Sequence, residues 1–287
     1  MPISRRTLFT AALATLPLSV AACSGASSPT TSSPDTSGSF RTVEEIQSSG
    51  TIRIGVFSDK APFGYVDTDG GYAGYDVVYA ERIAKDLGVK VEYTPVEAAS
   101  RVEFLETAKV DLILANFTVT QERSAKVDFA NPYLKVLLGA VSPDAAPITE
   151  VDQLAGKKVI VVKGTTAETF LEKNHPEVEL TKYEQYTEAT SALTDGRGDA
   201  WVTDNTEALA WAVNAEGFSA TITSLGEPET IAGAVTKGNT TLLEWLNQHL
   251  VELGQEQFFH ADFEQTLRPV YGDAVSADEL VVEGGQV

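Results

Sequence analysis

The stretch Asn116 to Tyr133, NFTVTQERSAKVDFANPY, sets a hydroxyl, Thr118, and a cation, Arg123, just beyond the apolar run Val110 to Ala115. A guanidinium beside a hydroxyl suits a small carboxylate, because the arginine fork matches two carboxylate oxygens. Taken alone, Glu122-Arg123 also reads as the solvated face of a short helical turn. Two other places complete a more specific set. Gly164-Thr165-Thr166-Ala167 follows a strand pattern and opens a helix, so its free N–H groups and the helix dipole could receive an anion. Ordinary N-capping by Thr165 or Thr166 accounts for the same residues equally well. Asp204 ends the apolar AWVT segment and precedes another helix, as a ligand group or a simple cap. Together these residues offer a cation and donors for a carboxylate and an acid for an ammonium, which are the needs of a free amino acid.

Other chemistries fit poorly. The chain has no G-x-S-x-G, its single thiol is Cys23, and the spacing of His175, His249 and His260 suggests no metal site, so catalytic residues, metal and cofactor are all expected to be none. Each histidine reads as a surface or helix-end residue. Asp67-Thr68-Asp69-Gly70-Gly71 begins like a calcium loop, but Gly71, Tyr72 and Val78 stand where the EF-hand needs Asp or Asn, Gly and an acid. A turn between two extended segments explains it better.

The elements that must hold these residues alternate strand and helix. TIRIGV (51–56), VKVEYT (89–94) and VDLILA (110–115) read as strands, with helices at 76–87 and 101–108 between them; Gly88 stops the first helix. A second series begins at KKVIVV (158–163), with helices at 166–174, 187–195 and 206–216. Two such series predict an α/β fold of two lobes. LLGAV (137–141) and IAGAV (231–235), short, apolar and glycine-bearing, suit extended hinge segments, and helical sequence resumes at 240–253. The expected division is lobe 1 at 41–138 plus 235–287 and lobe 2 at 139–234, with a small-molecule site in the cleft between them.

Outside that body, residues 1–22 read as an export signal: Arg5 and Arg6, an apolar stretch from Leu8 to Val20 too short to span a membrane, then small residues. SRRTLF resembles a twin-arginine motif and Val20-Ala21-Ala22-Cys23 a lipobox, which implies a mature chain starting at a lipidated Cys23, with acyl chains such as palmitate anchoring it in the membrane. Residues 23–40 read as the anchor and a Ser/Thr/Gly/Pro-rich tether. The chain carries 21 basic and 41 acidic residues, net −20; without Arg5 and Arg6 the balance is 19 to 41, net −22. Nucleic acid is thereby excluded as a partner, and the acidity is read as solubility. About 43% hydrophobic residues suffice for a real core.

Five motifs in order, IRIGVFSDKAPFGYVD, GYDVVYAERIAKDLG, KVDLILANFTVTQERSAKVDFANPY, KGTTAETFLE and GDAWVTDN, resemble the solute-binding proteins of polar amino-acid ABC transporters over about residues 43–270. SDKAPFGYVD, VEAASRVEFLETAKVD, LGQEQFFH and ADELVVEGG resemble the cysteine-binding subgroup. The resemblance implies a two-lobe, type II periplasmic-binding-protein-like fold and a monomer that closes on an L-amino acid, cysteine first, and passes it to an ABC permease. Cystine, glutamate and other polar amino acids remain alternatives, as does an exported cyclohexadienyl dehydratase acting on prephenate or arogenate, for which Glu97 is the nearest proton donor. A sensor domain is disfavoured because no signalling segment follows Val287. Carried over, the family pattern gives Arg123 and Thr118 the α-carboxylate with the amides of Thr165 and Thr166. It gives Asp204 and the carbonyl of Asn116 the ammonium. Phe63 and Phe117 become walls of the side-chain pocket, with Lys60 or Tyr133 at its border. Many relatives have an aromatic residue before Pro-Phe where this chain has Lys60-Ala61, which argues against glutamine or arginine as ligand.

Overall fold

The computed structural model describes residues 40–286. The export signal, Cys23 and the tether up to residue 39 lie outside the described residues. After helix α1 (Val43–Ser49), strand β1 (Thr51–Val56) leads into a small antiparallel sheet of β2 (Asp59–Lys60), β3 (Gly64–Val66) and β4 (Tyr72–Ala73). The Asp67 carboxylate closes the β3–β4 turn by accepting from the amides of Asp69 and Gly71, both at 2.9 Å, so this loop is the turn that the sequence implies. Helix α2 (Tyr75–Leu87) ends at Gly88, whose left-handed φ of 73° lets its N–H reach back to Ala84 and Lys85. Strand β5 (Lys90–Pro95), helix α3 (Arg101–Glu106) and strand β6 (Leu112–Ile113) complete the first series.

The third strand is far shorter than the six-residue run VDLILA suggests. At its start the Asp111 carboxylate leaves the ladder pattern to accept the Arg53 amide at 2.8 Å and to pair with the guanidinium groups of Arg41 and Arg53. At its end Asn116 takes a left-handed φ of 43° that no strand continues through.

Short helix α4 (Gln121–Ser124) precedes strand β7 (Val127–Pro143), which carries the chain into the second series: β8 (Lys158–Val162), α5 (Thr166–Asn174), β9 (Glu179–Tyr183), α6 (Tyr186–Thr194), β10 (Ala200–Asp204) and α7 (Asn205–Ala212). Strand β11 (Phe218–Thr236) returns, and α8 (Thr240–Glu256) and α9 (Phe258–Asp262) pack on the first series. One eight-stranded sheet runs β5-β1-β6-β11-β7-β10-β8-β9. Each end is a parallel triplet, and the antiparallel pair β7/β11 joins them. LLGAV and IAGAV therefore lie inside long strands rather than in separate linkers. The irregularity sits elsewhere: from Ile222 to Glu229 strand β11 spends seven steps where β7, from Ala140 to Val136, spends four, and the surplus bulges outward.

Burial follows the strand period. In β8, Val159 and Val161 enter a cluster with Leu171 and Val202, while Ile160 and Val162 enter another with Trp201 and Tyr186. That second cluster also contains Phe57, Ile113 and Phe117 from the first series, so the two halves touch through apolar side chains. Ile52, Ile54 and Val56 of β1 face Tyr79 and Ile83 of α2 and Leu246 and Leu250 of α8. His249 is a correction to the surface or helix-end reading. It lies within α8, buried, with its ring 4.6 Å from Trp245 and Nε2 2.8 Å from the Asp86 carboxylate. Its position four residues after Trp245 puts both rings on one helix face.

Asp262, at the end of α9, is buried with one oxygen on the Thr266 hydroxyl at 3.1 Å and the other without a partner. Burial pushes its carboxyl up to about 9, against the opposing Thr266 hydrogen bond. Because the folded chain holds this proton more tightly than the unfolded chain, stability falls as pH rises from about 4 towards 9. Asp262→Asn should remove that decline and, at pH 8, stabilise by about 1 kcal/mol or more. Thermal melts of both proteins at pH 5 and pH 8 check it; an equal difference at the two pH values contradicts the assignment.

Candidate functional site

Arg123 is held by its own short helix. Thr120 caps α4 by accepting the Arg123 amide at 3.2 Å, and the guanidinium donates to the carbonyls of Thr118 at 2.7 Å and Gly164 at 2.9 Å. Thr118 is buried and bridges Ile231 of β11, with Val119 donating to Thr230 and Phe117 accepting from Ala232. A second strand thus fixes the segment 117–119. Across from it, Thr165 caps α5 by accepting the Glu168 amide at 3.3 Å, while the first-turn amides of that helix are the donors a helix leaves without intrahelical acceptors. A cavity of about 930 Å³ opens here, lined by Phe117, Arg123, Gly164, Thr166, Leu225 and Glu229 among others. The β11 bulge supplies the last two.

A second arginine shares this place and was not singled out as a site residue. Arg101, the first residue of α3, is buried and donates to the carbonyls of Ala98 (2.9 Å), Ala115 (3.0 Å), Asn116 (3.2 Å) and Gly164 (3.1 Å). Both guanidinium groups lie against the Phe117 ring, with their carbons 4.4 Å (Arg101) and 4.9 Å (Arg123) from its centroid, and both donate to the Gly164 carbonyl. Both guanidinium groups donate to backbone carbonyls, so their charge is left without a carboxylate contact. Burial, then the neighbouring Arg123, drops Arg101 to about 9. Burial also lowers Arg123, with Asp204 and Glu229 opposing. A sequence signal was available: a cation in the first turn of a helix opposes the helix dipole and needs another reason to be there.

Asp204 is the last residue of β10 and stands at the N-cap of α7, yet its side chain caps nothing. Its Oδ2 accepts from Lys60 Nζ at 2.9 Å. The same ammonium lies 3.1 Å from Glu207 Oε2 and 3.2 Å from the Tyr186 hydroxyl. Glu207, three residues on and buried, also accepts from Thr203 Oγ1 at 2.6 Å; burial pushes it up to about 7 against the pull of Lys60. Lys60 feels burial in the opposite sense, but Asp204 and Glu207 outweigh it and keep the ammonium charged. Asp59, its neighbour in β2, accepts from the Tyr186 amide at 2.8 Å, so this dipeptide of the first half plugs into the second.

The remaining expected site residues fall in two groups. Phe63 is fully buried in the core that holds Ile52, Tyr79 and Leu246, 6.0 Å from Lys60 Nζ. Tyr133 does not reach the cavity: it is stacked on Phe259 in that same core and donates its hydroxyl to Asp76 at 2.6 Å. Asp76 in turn accepts the Asn116 amide at 2.7 Å, so Tyr133 supports the left-handed turn at Asn116 from behind. Burial raises Asp76 to about 6, opposed by Tyr133 and Asn116. The Asn116 carbonyl is engaged by Arg101, whereas its side-chain amide is buried with neither its nitrogen nor its oxygen partnered.

Residues 52–264 match the family described as bacterial extracellular solute-binding proteins, family 3. The chain belongs to this family. A crystal structure of a solute receptor for L-cysteine of Neisseria gonorrhoeae is similar at a TM-score of 0.83 and 50% identity, covering 85% of this chain and 100% of that one. The cysteine-binding protein from Campylobacter jejuni gives 0.83 and 47%, over 84% and 98%. The ABC transporter glutamine-binding protein GlnH of Bacillus subtilis is 31% identical over 220 residues, 74% of this chain and 79% of its own. The α/β body of this family 3 protein is accordingly the two-lobe, type II periplasmic-binding-protein-like fold. Among the described residues, no helix of this solute-binding protein is long and apolar enough to cross a membrane. None of their His, Cys, Asp and Glu side chains group into a metal site.

Proposed function

We propose that this chain is the extracytoplasmic receptor of an ABC importer, closing lobes 41–138 plus 235–287 and 139–234 around one L-amino acid, cysteine foremost, and delivering it to a membrane permease. The observation that carries this reading is the pair of guanidinium groups of buried Arg101 and half-buried Arg123, both against the Phe117 ring with carbonyl partners alone. A desolvated cation with no carboxylate in contact invites an anion, and the carboxylate shared by all amino acids fits the Arg123 fork, the Thr118 hydroxyl and the Thr165 and Thr166 amides. Asp204 receives the ammonium through the oxygen that Lys60 does not use. Phe63 and Phe117 wall the side-chain end, and the unpartnered Asn116 amide gains a polar partner from the ligand. The choice of cysteine rests on the two cysteine receptors, at 50% and 47% identity. Attachment through a lipid on Cys23 completes the proposal, since a receptor serving a permease works best when held at the membrane. Against the dehydratase alternative, Glu97, the proton donor it needs, is exposed at the surface.

The experiment is a thermal-shift screen against single amino acids in reducing and oxidising buffer. L-cysteine at about 100 times its dissociation constant should stabilise by roughly 2.7 kcal/mol. A response confined to cystine or glutamate moves the ligand assignment, and silence throughout the panel removes the receptor reading.

A further inference from the structure

The ammonium of Lys60 sits in a chamber built as a cation site. Two carboxylates, Asp204 at 2.9 Å and Glu207 at 3.1 Å, lie within contact of it. Three aromatic rings surround it, with centroids 4.4 Å (Tyr186), 5.7 Å (Phe57) and 6.0 Å (Phe63) away. Carboxylates and ring faces together are how proteins hold ammonium and guanidinium groups from a ligand. Here the cation is tethered to the chain itself and is 1% exposed. A cavity of about 560 Å³, lined by Asp59, Ala61, Tyr186 and Glu207 among others, borders the chamber and shares no lining residue with the one at Arg123.

We propose that Lys60 is a specificity-determining residue that fills a cation chamber formed by Asp204, Glu207, Phe57, Phe63 and Tyr186, and thereby shuts the side-chain end of the cleft to cationic amino acids. This rests on the amino-acid receptor reading above. Two carboxylates against one ammonium leave at most one negative charge, so the chamber with Lys60 in place accepts no more than one further cation, the ligand's α-ammonium. A second cation on the ligand side chain finds no uncompensated acid and meets the Lys60 charge. A neutral side chain such as a thiol meets no such repulsion. Removing the tethered ammonium uncovers a dicarboxylate chamber that a lysine or arginine side chain can enter.

The test uses Lys60→Ala and Lys60→Met. The alanine substitution deletes three methylenes and the ammonium, which is the propylammonium ion. Propylammonium should raise the melting temperature of Lys60→Ala by several degrees, leave wild type and Lys60→Met unmoved, and lose its effect when Glu207→Gln is added. In calorimetry, L-lysine and L-arginine should bind Lys60→Ala about tenfold or more tightly than they bind wild type, the scale of one buried charge finding its partner. If Lys60→Ala melts without a cooperative transition, restoration of that transition by propylammonium is the supporting result. Failure of propylammonium to stabilise or restore the variant overturns the proposal, as does an unchanged preference against cationic amino acids. The propylammonium arm needs no amino acid, so a wild type that binds none of them defeats the receptor reading while the chamber is still tested.

Discussion

Replacing Arg123 with alanine is expected to abolish amino-acid binding while leaving a folded, cooperatively melting protein. The guanidinium is the charge that the ligand carboxylate meets, and truncating one partner of a desolvated charge pair costs on the order of 3 kcal/mol or more, at least about a hundredfold in affinity. Stability should change little, because Arg123 sits on the four-residue helix α4 and contributes two hydrogen bonds to carbonyls rather than to the core. Removing it also relieves a repulsion, since Arg123 is the second cause of the depressed Arg101 value after burial. Calorimetry and a thermal melt on the same sample separate the two effects. Retained affinity would show that Arg101 alone grips the carboxylate.

The second large effect is expected at Gly164, whose carbonyl accepts from both arginines. Its φ is +74°, and a Cβ added there would lie 2.4 Å from the Ala99 Cα and 2.6 Å from the Ala99 nitrogen. Gly164→Ala therefore sets a left-handed alanine, which costs about 1–2 kcal/mol, against main chain of the opposite half that cannot turn aside. The strain is relieved when the halves separate at this contact. Affinity should fall about tenfold or more, and the variant should scatter X-rays as a more open particle than the wild type in the presence of ligand. Undiminished affinity with an unchanged radius of gyration would mean that Gly164 does not govern the approach of the halves.

Much of the frame was legible because burial and period agree. Ile52, Ile54 and Val56 alternate onto one core, KKVIVV is apolar on both faces, and Gly88 ends α2 where a left-handed residue is required. The failures share a cause, the diversion of side chains into polar contacts that no period encodes. Strand 110–115 shrinks because Asp111 is recruited by Arg41 and Arg53. The first half of β11, SATITSLGEPET, shows no strand period, because its register breaks where Leu225, Gly226, Glu227 and Glu229 turn out to line the cavity. Of the expected site residues, Phe117, Arg123 and Thr166 line one cavity, while Thr118 is pinned to β11 and Thr165 caps α5 beside it. Arg101 escaped notice because a cation opening a helix looks like surface, and Glu207 because its burial depends on Lys60 arriving from 144 residues before Asp204. Tyr133 ends the stretch that carries Thr118 and Arg123 but faces the core, where Asp76 holds its hydroxyl.

The central claim is that the cleft reads both charged ends of one amino acid, Arg123 the carboxylate and Asp204 the ammonium. The most direct measurement is a calorimetric titration of the wild type, in reducing buffer, with L-cysteine, cysteamine and 3-mercaptopropionate. The latter two keep the thiol but lack the carboxylate or the ammonium. Cysteine should bind, and each analogue should be weaker by about a hundredfold or more, because each leaves one buried charge unpaired. Binding of either analogue within a few-fold of cysteine would contradict the account.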